Sequence, residues 1–182
     1  MELIVVLSIF SILSAVAIFN YGDFQSKVDL RNLSSDIALK IVEAQKSALA
    51  GELVPGMIVG KSWKPSYGVY FDLAIDNKSF LYFADLDNGT DFTGTDCTGE
   101  CLNKVSITRD SIISGIEVFY QNGPVTQLND LTITFTRPNS GAIINSSIPF
   151  NKPFSYVQLR ILAENGTTSL IKIYPSGRLQ LN

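Results

Sequence analysis

The feature that most constrains this chain lies at its start, where a lone acid, Glu2, precedes an uncharged run. The residues from Leu3 to Phe19 are all apolar or hydroxyl-bearing, and the next charge is Asp23. About 20 uncharged residues at ~1.5 Å per residue give a helix of roughly 30 Å, the thickness of a bilayer core. An ionisable group at the edge of such a segment is costly, so Glu2 is expected to have a partner and a function. The run predicts a membrane-inserted helix.

Two parts of this run, Glu2–Leu7 and Ile12–Ile18, resemble the N-terminal helix of type IV pilins and of type II secretion pseudopilins. In that family a prepilin peptidase removes a short basic leader and methylates the new amine. The family's glutamate is thought to pair with the methylated amine of a neighbouring subunit. The resemblance therefore implies that Glu2 is an assembly residue, and we expect codons upstream of Met1 to encode a Lys/Arg leader.

The resemblance also implies partners and a location. It implies a filament of this chain with itself or with other pilins and pseudopilins, built by an inner-membrane assembly platform. Before assembly the chain would be a single-pass protein of the inner membrane, and afterwards part of an extracytoplasmic filament. Nucleic acid is not an expected partner, since the formal net charge is −3.

After the apolar run the sequence becomes that of an amphipathic helix. Gly51 stands where helices commonly end, and Pro55 supports the stop. We therefore divide the chain into a spine helix, residues 1–51, and an extracytoplasmic β-rich domain, residues 52–182. One apolar stripe with 3-4-4-3-4 spacing runs along the second half of the helix: Leu30, Leu33, Ile37, Ile41, Ala44 and Ala48.

From Ser66 onward the apolar period changes to two, which is typical of strands. Asn165-Gly166 is the strongest hairpin signal. Three short stretches resemble parts of the β-domain of H-type minor pseudopilins, the GspH/FimT-like group. They are Tyr67–Phe71, Phe83–Asp87 and Ile173–Arg178. The expected fold class is α+β, a pilin fold with the long helix packed on a C-terminal antiparallel sheet. Strands are predicted at 68–72, 80–84, 104–108, 112–120, 131–136, 142–146, 156–163, 169–174 and 178–181.

An acidic segment follows the second predicted strand. Around Gly89 this segment combines turn residues with four acids, Asp85, Asp87, Asp91 and Asp96. Ca²⁺ prefers six to eight oxygen ligands, so these four carboxylates are candidate calcium ligands. The alternative is a solvated acidic turn, because Asn, Gly and Asp are ordinary turn residues.

The chain contains two cysteines, Cys97 and Cys101, directly after this segment. Outside the cytoplasm a C-x₃-C pair can close a short disulfide, and free thiols are the alternative. A zinc site would need two more soft ligands.

The chain contains no histidine, which excludes Ser-His-Asp and Cys-His catalysis. We therefore expect that the protein is not an enzyme.

The leading interpretation is a structural subunit of a type IV filament, a pseudopilin or pilin assembled from the membrane through its N-terminal helix. It would serve type II secretion or a type IV pilus. Two alternatives remain open: a single-pass membrane-anchored extracellular binding or catalytic domain, and a minor pilin for DNA uptake.

Overall fold

The computed structural model describes residues 2–54, 64–94, 97, 99–107 and 111–182, and of residues 16–21 and 23 the backbone alone. One helix, α1 (Glu2–Ala50), runs without interruption over 49 residues. It ends where Gly51 takes a φ of 63°, with the Gly51 N–H donating to the Ala48 carbonyl over 3.0 Å. A positive φ costs glycine little. The helix stop predicted at Gly51 is confirmed.

Strands make up most of the regular structure after α1. The predicted strands are observed with boundaries shifted by up to four residues, and the short strand β5 was not predicted. In the described part of the chain the strands are β1 (Ser66–Asp72), β2 (Asp76–Asp85), β3 (Cys101–Ser106), β4 (Ile112–Tyr120), β5 (Thr126–Leu128), β6 (Asp130–Phe135), β7 (Ala142–Asn145), β8 (Phe154–Leu162), β9 (Thr168–Ile173) and β10 (Leu179–Leu181).

These strands form two antiparallel sheets of five strands each. The first sheet has the order β3-β2-β1-β6-β7, and the second has the order β10-β9-β8-β4-β5. Strands β1 and β2 pair as a hairpin, and the hairpin predicted at Asn165-Gly166 is confirmed between β8 and β9. Of these two turn residues only Gly166 has a positive φ, 83°. The turn is therefore not the two-residue type I′ turn that the dipeptide indicated.

The core lies between the inner faces of the two sheets and the second half of α1. Val69 and Phe71 of the first sheet and Leu159 and Ile171 of the second are fully buried in one apolar cluster. Each such side chain contributes roughly 1.5–3 kcal/mol when it leaves water. The stripe on α1 belongs to the same cluster, with Leu30, Ile37, Ile41, Ala44 and Ala48 buried and Leu33 packed at its margin.

The predicted fold class, an α+β pilin fold with a helix on one antiparallel sheet, is wrong. The strands together contain more residues than the helix, and they form two sheets rather than one. The physical reason lies in the alternating strands β4, β8 and β9. They pair with one another and bury a second apolar face against the core, instead of extending the sheet of β1, β2 and β6.

The predicted location, single-pass insertion in the inner membrane, is also corrected. Within the described residues, no helix is both long enough and apolar enough to cross a membrane.

Candidate functional site

The first turns of α1 form an apolar surface that no other described part of the chain covers. We call residues 3–13 the apolar segment. Its large side chains lie all round the helix, from Ile9 at 53% exposed to Leu3 at 71%. A helix that is apolar on every side is normally buried among other elements. The exposed residues are Leu3, Ile4, Val5, Val6, Leu7, Ile9, Phe10, Ile12 and Leu13.

The hydroxyl groups within the apolar segment are satisfied by the helix itself. Ser8 Oγ donates to the Val5 carbonyl over 2.7 Å, and Ser11 Oγ donates to the Leu7 carbonyl over 2.8 Å. A buried hydroxyl without a partner would cost roughly 1–3 kcal/mol. Because both hydroxyls bond back to the backbone, the segment can be packed in a dry environment without that cost.

Glu2, the predicted assembly residue, lies in the first turn of α1 and is exposed. A carboxylate at a helix N-terminus interacts favourably with the unpaired N–H groups there, by roughly 0.3–1 kcal/mol. Glu2 therefore lies at the tip of the apolar segment, and its carboxylate is placed where it could form an ion pair with the amine of a neighbouring molecule.

The acidic segment after β2 is organised by two buried carboxylates. Asp85 accepts the backbone N–H groups of Asn88, Gly89 and Thr90 at 2.6–3.1 Å. Glu100, which the sequence did not single out, accepts the backbone N–H groups of Leu86, Asp87 and Thr93 at 2.8–3.3 Å. Both carboxylates act as acceptors for loop backbone that no strand partner could satisfy.

The four predicted calcium ligands do not all come together. Asp85 and Asp87 lie with Glu100 in a trio whose ligand atoms are within 4.8 Å of one another. Asp91 accepts the side-chain amide of Asn145 over 2.6 Å instead. Asp96 lies outside the described residues. Because the oxygens of Asp85 and Glu100 already accept peptide N–H groups, the trio does not fit a Ca²⁺ that needs six to eight free oxygens.

Burial shifts the pKa of Asp85, the most deeply buried member of the trio. Desolvation raises the pKa of Asp85, and the charge of nearby Glu100 raises it further, while the three backbone N–H donors lower it.

The two cysteines that follow the segment, Cys97 and Cys101, are joined as a disulfide. Of the alternatives that the C-x₃-C spacing left open, the structure has the closed pair.

The described start of this segment covers the outer face of the first sheet. We call residues 86–94 the covering loop. Its Phe92 packs on Tyr70 at 5.1 Å and on Phe83 at 5.4 Å between ring centres. Thr134 on β6 donates its hydroxyl to the Thr90 carbonyl over 2.7 Å. The loop thus closes an apolar surface that would otherwise face water.

A glycine makes this closure possible. The ring of Phe83 lies over Gly68 on the neighbouring strand, and the two are paired in register. A Cβ on Gly68 would come within 2.6 Å of both the Phe83 ring and the Ile133 carbonyl oxygen. Real Cβ atoms do not approach this closely, so only glycine allows this packing.

A cleft of about 260 Å³ opens beside the covering loop, between Phe92, Tyr70 and Lys104. Its acids are already engaged. Asp72 accepts the Tyr70 hydroxyl over 3.0 Å, and this bond, added to burial, raises the pKa of that tyrosine. Asp76 accepts Ser79 and the Lys78 N–H, which lower its pKa, and it pairs with Lys104 at 3.5 Å. Among the described residues that line the cleft, the acids are therefore all engaged.

In the described part of the chain the outer face of the second sheet is left open, and it carries two cross-strand rows that were not predicted from the sequence. The polar row is centred on Glu117, which accepts Gln127, Gln158 and Arg160 at 2.7–2.9 Å. The alternating outward positions of the predicted strands could have revealed it. Across the five strands the row reads Gln127, Glu117, Gln158, Lys172 and Gln180.

The aromatic row runs beside it and consists of Phe119, Tyr156, Tyr174 and Arg178. The Phe119 and Tyr156 rings stack at 4.6 Å, and Tyr156 meets Tyr174 at 5.6 Å. The Arg178 guanidinium lies 3.9 Å from the centre of the Tyr174 ring, and the Lys172 ammonium lies 4.9 Å from that of Tyr156. All three rings are only partly buried. This face therefore presents two cations on an aromatic base.

Comparison of the chain with family models, curated proteins and solved structures finds no match.

Proposed function

We propose that this protein is a structural subunit of a helical filament, held together by the apolar segment of α1. The observation that carries the proposal is the exposure of the segment on every side of the helix, with Ile4 at 69% and Phe10 at 67%. Exposed apolar surfaces of this extent mark interaction sites. A bundle of the same helix from other copies supplies an apolar environment on all sides.

The architecture of α1 supports this function. Its second half is fixed to the β-domain through a single buried stripe, while the apolar segment projects beyond the part that the domain covers. A subunit built in this way keeps its domain folded while its helix packs with others. The hydroxyls of Ser8 and Ser11, bonded within the helix, are compatible with a dry filament core.

The resemblance of Glu2–Leu7 and Ile12–Ile18 to pilins and pseudopilins supports a filament of the type IV class. In such a filament Glu2 would meet the N-terminal amine of a neighbouring copy. A carboxylate buried without a partner costs several kcal/mol, so this pairing would set where each subunit stops along the axis.

The test is a charge placed within the apolar segment. The full chain carrying Ile4→Glu is released from mild detergent, and filaments are measured by sedimentation and electron microscopy. A charge buried among apolar helices is strongly unfavourable, so we expect the sedimenting fraction to fall at least about tenfold. The matched control is Ile75→Glu, because Ile75 is 71% exposed in the β1–β2 turn. Filaments from Ile4→Glu as abundant as those of the wild type would refute the proposal.

Glu2 provides a second, finer test. Glu2→Ala removes the carboxylate but keeps the apolar surface, so the chain should still self-associate without forming regular filaments. Regular filaments from Glu2→Ala would show that Glu2 has no part in positioning the subunit.

A further inference from the structure

The outer faces of the two sheets carry opposite charge. On the second sheet Glu117 and Arg160 pair at 2.7 Å, which leaves Lys172 and Arg178 as the unbalanced charges of the two rows. On the first sheet the covering loop exposes two acids, Asp87 and Asp91. One outer face is therefore cationic and the other anionic, although the whole chain has a net charge of −3.

These two faces point away from a common core. The inner positions of both sheets, among them Val69 and Ile171, belong to one apolar cluster with α1. Lys172 and Tyr156 are at the outward positions of their strands, and the covering loop packs on the outward side chains of β1 and β2. The cationic and anionic faces of a single copy therefore cannot meet each other.

We propose that the aromatic row and Lys172 of one copy bind the covering loop of a second copy. The contact joins two different surfaces, so a bound pair still has one free face of each kind, the anionic face on one copy and the cationic face on the other. A contact of this type generates an open polymer rather than a closed dimer. The inference rests on the proposed filament and specifies which surfaces of the β-domain touch in it.

The chemistry of both faces suits this pairing. Lys172 and Arg178 already lie against tyrosine rings, which restricts their motion before binding. Asp87 is held by the Gly89 N–H at 2.8 Å, and Asp91 by Asn145 at 2.6 Å, so the carboxylates are also fixed in place. Fixed charges of opposite sign lose little conformational entropy when they pair.

The first experiment is a zero-length carbodiimide cross-link, which joins a lysine amine to a carboxylate that contacts it. Assembled full-length chain is prepared from an equal mixture of ¹⁴N and ¹⁵N protein, and cross-linked peptides are identified by mass spectrometry. We expect a mixed-isotope peptide that joins Lys172 to Asp87 or Asp91. Cross-links from Lys172 only to other carboxylates would overturn the inference.

The second experiment reverses the charges. Lys172→Glu with Arg178→Glu should reduce the fraction assembled about tenfold, since like charges then face each other. Adding Asp91→Lys to Lys172→Glu should restore assembly relative to Lys172→Glu alone. Asp91 is chosen because its side chain bonds to another side chain, that of Asn145, whereas Asp87 holds the loop backbone through the Gly89 N–H. The matched control, Lys46→Glu with Lys64→Glu, should leave assembly within about twofold of the wild type.

The results separate this inference from the proposed function. Unchanged assembly of Lys172→Glu with Arg178→Glu, or failure of Asp91→Lys to rescue Lys172→Glu, overturns the contact while leaving the filament intact. Normal filaments from Ile4→Glu overturn the proposed function, whatever the cross-link shows. Thermal melting of each variant verifies that the β-domain is folded before its assembly is measured.

Discussion

The outer faces of the two sheets differ in whether a loop of the chain packs over them. The first sheet turns Tyr70 and Phe83 outward, and the covering loop folds back so that Phe92 packs on both rings. The second sheet turns Phe119, Tyr156 and Tyr174 outward and leaves them half-buried. Both faces contain large aromatic side chains, yet among the residues that the structure describes a loop closes only the first of them.

This difference separates side chains that stabilise the fold from side chains that remain available to bind another molecule. On the closed face, contacts are made within the chain, and buried acids such as Asp85 and Glu100 hold the covering loop in place. On the open face, the polar groups of the Glu117 cluster are satisfied, but the rings and cations keep exposed surface. Changes on the closed face should therefore reduce stability, and changes on the open face should mainly affect assembly.

The largest expected effect compares one phenylalanine from each face. Phe83→Ala empties a fully buried site between Gly68 and Phe92, so we expect the free energy of unfolding to fall by about 3–5 kcal/mol. Phe119→Ala removes a half-buried ring from the open face and should cost about 1 kcal/mol or less. Urea unfolding of the full chain measures both. Equal losses would remove the distinction between the two faces.

The next effect concerns the glycine beneath the covering loop. Gly68→Ala places a methyl group 2.6 Å from the Ile133 carbonyl oxygen, so backbone must shift as well as the Phe83 ring. We expect a loss of about 1–3 kcal/mol, as for other overpacked sites. Gly115→Ala on the open face is the control, because its nearest contact would be the Gln127 side chain at 3.7 Å. A neutral Gly68→Ala would mean that the closed face is loosely packed.

A smaller effect should appear in the pH dependence of stability. The pKa of Asp85 is raised above 3.8 by burial first, so between pH 3.8 and its folded pKa the native state holds more protons than the unfolded state. The free energy of unfolding therefore falls as pH rises through this window. In Asp85→Asn this decline should be absent, although the variant is less stable overall because it loses an acceptor for Thr90.

Asp76 serves as the control for this measurement because its pKa shifts the other way. Its bonds to Ser79, the Lys78 N–H and Lys104 lower the pKa below 3.8. The stability it contributes is present above pH 3.8 and is lost as pH falls through the lowered value. Asp76→Asn should thus change the pH dependence of the free energy of unfolding only below pH 3.8. Identical profiles for the wild type and Asp85→Asn above pH 3.8 would contradict the assignment to Asp85.

The sequence predicted local structure better than assembly of the sheets. Alternation in Val157–Ala163 and Leu131–Thr136 identified strands β8 and β6, because one-sided burial leaves a period of two. The same alternation does not show which strand pairs with which. The division into two sheets depends on contacts distant in sequence, such as β4 with β8, which no local pattern encodes.

The site residues show the same limit. Asp85 and Asp87 were identified from their spacing, but Glu100 joins them only because the chain returns at β3. Asp91 has the spacing of a ligand and yet bonds to Asn145 on β7. Spacing identified the acidic segment, whereas the partners of its carboxylates depended on strand pairing.

The smallest expected effect is that of calcium on the closed face. A metal that binds only the folded state adds RT ln(1 + [L]/Kd) to stability, on the order of 1 kcal/mol for a typical extracellular site at millimolar calcium. Here the oxygens of Asp85 and Glu100 already accept backbone N–H groups, which a cation would have to displace. We therefore expect melting curves in ~1 mM calcium and in EDTA to agree within about 1 °C. A rise of several degrees with calcium that Asp87→Ala abolishes would instead establish a metal site, with Glu100 in the place expected for Asp91.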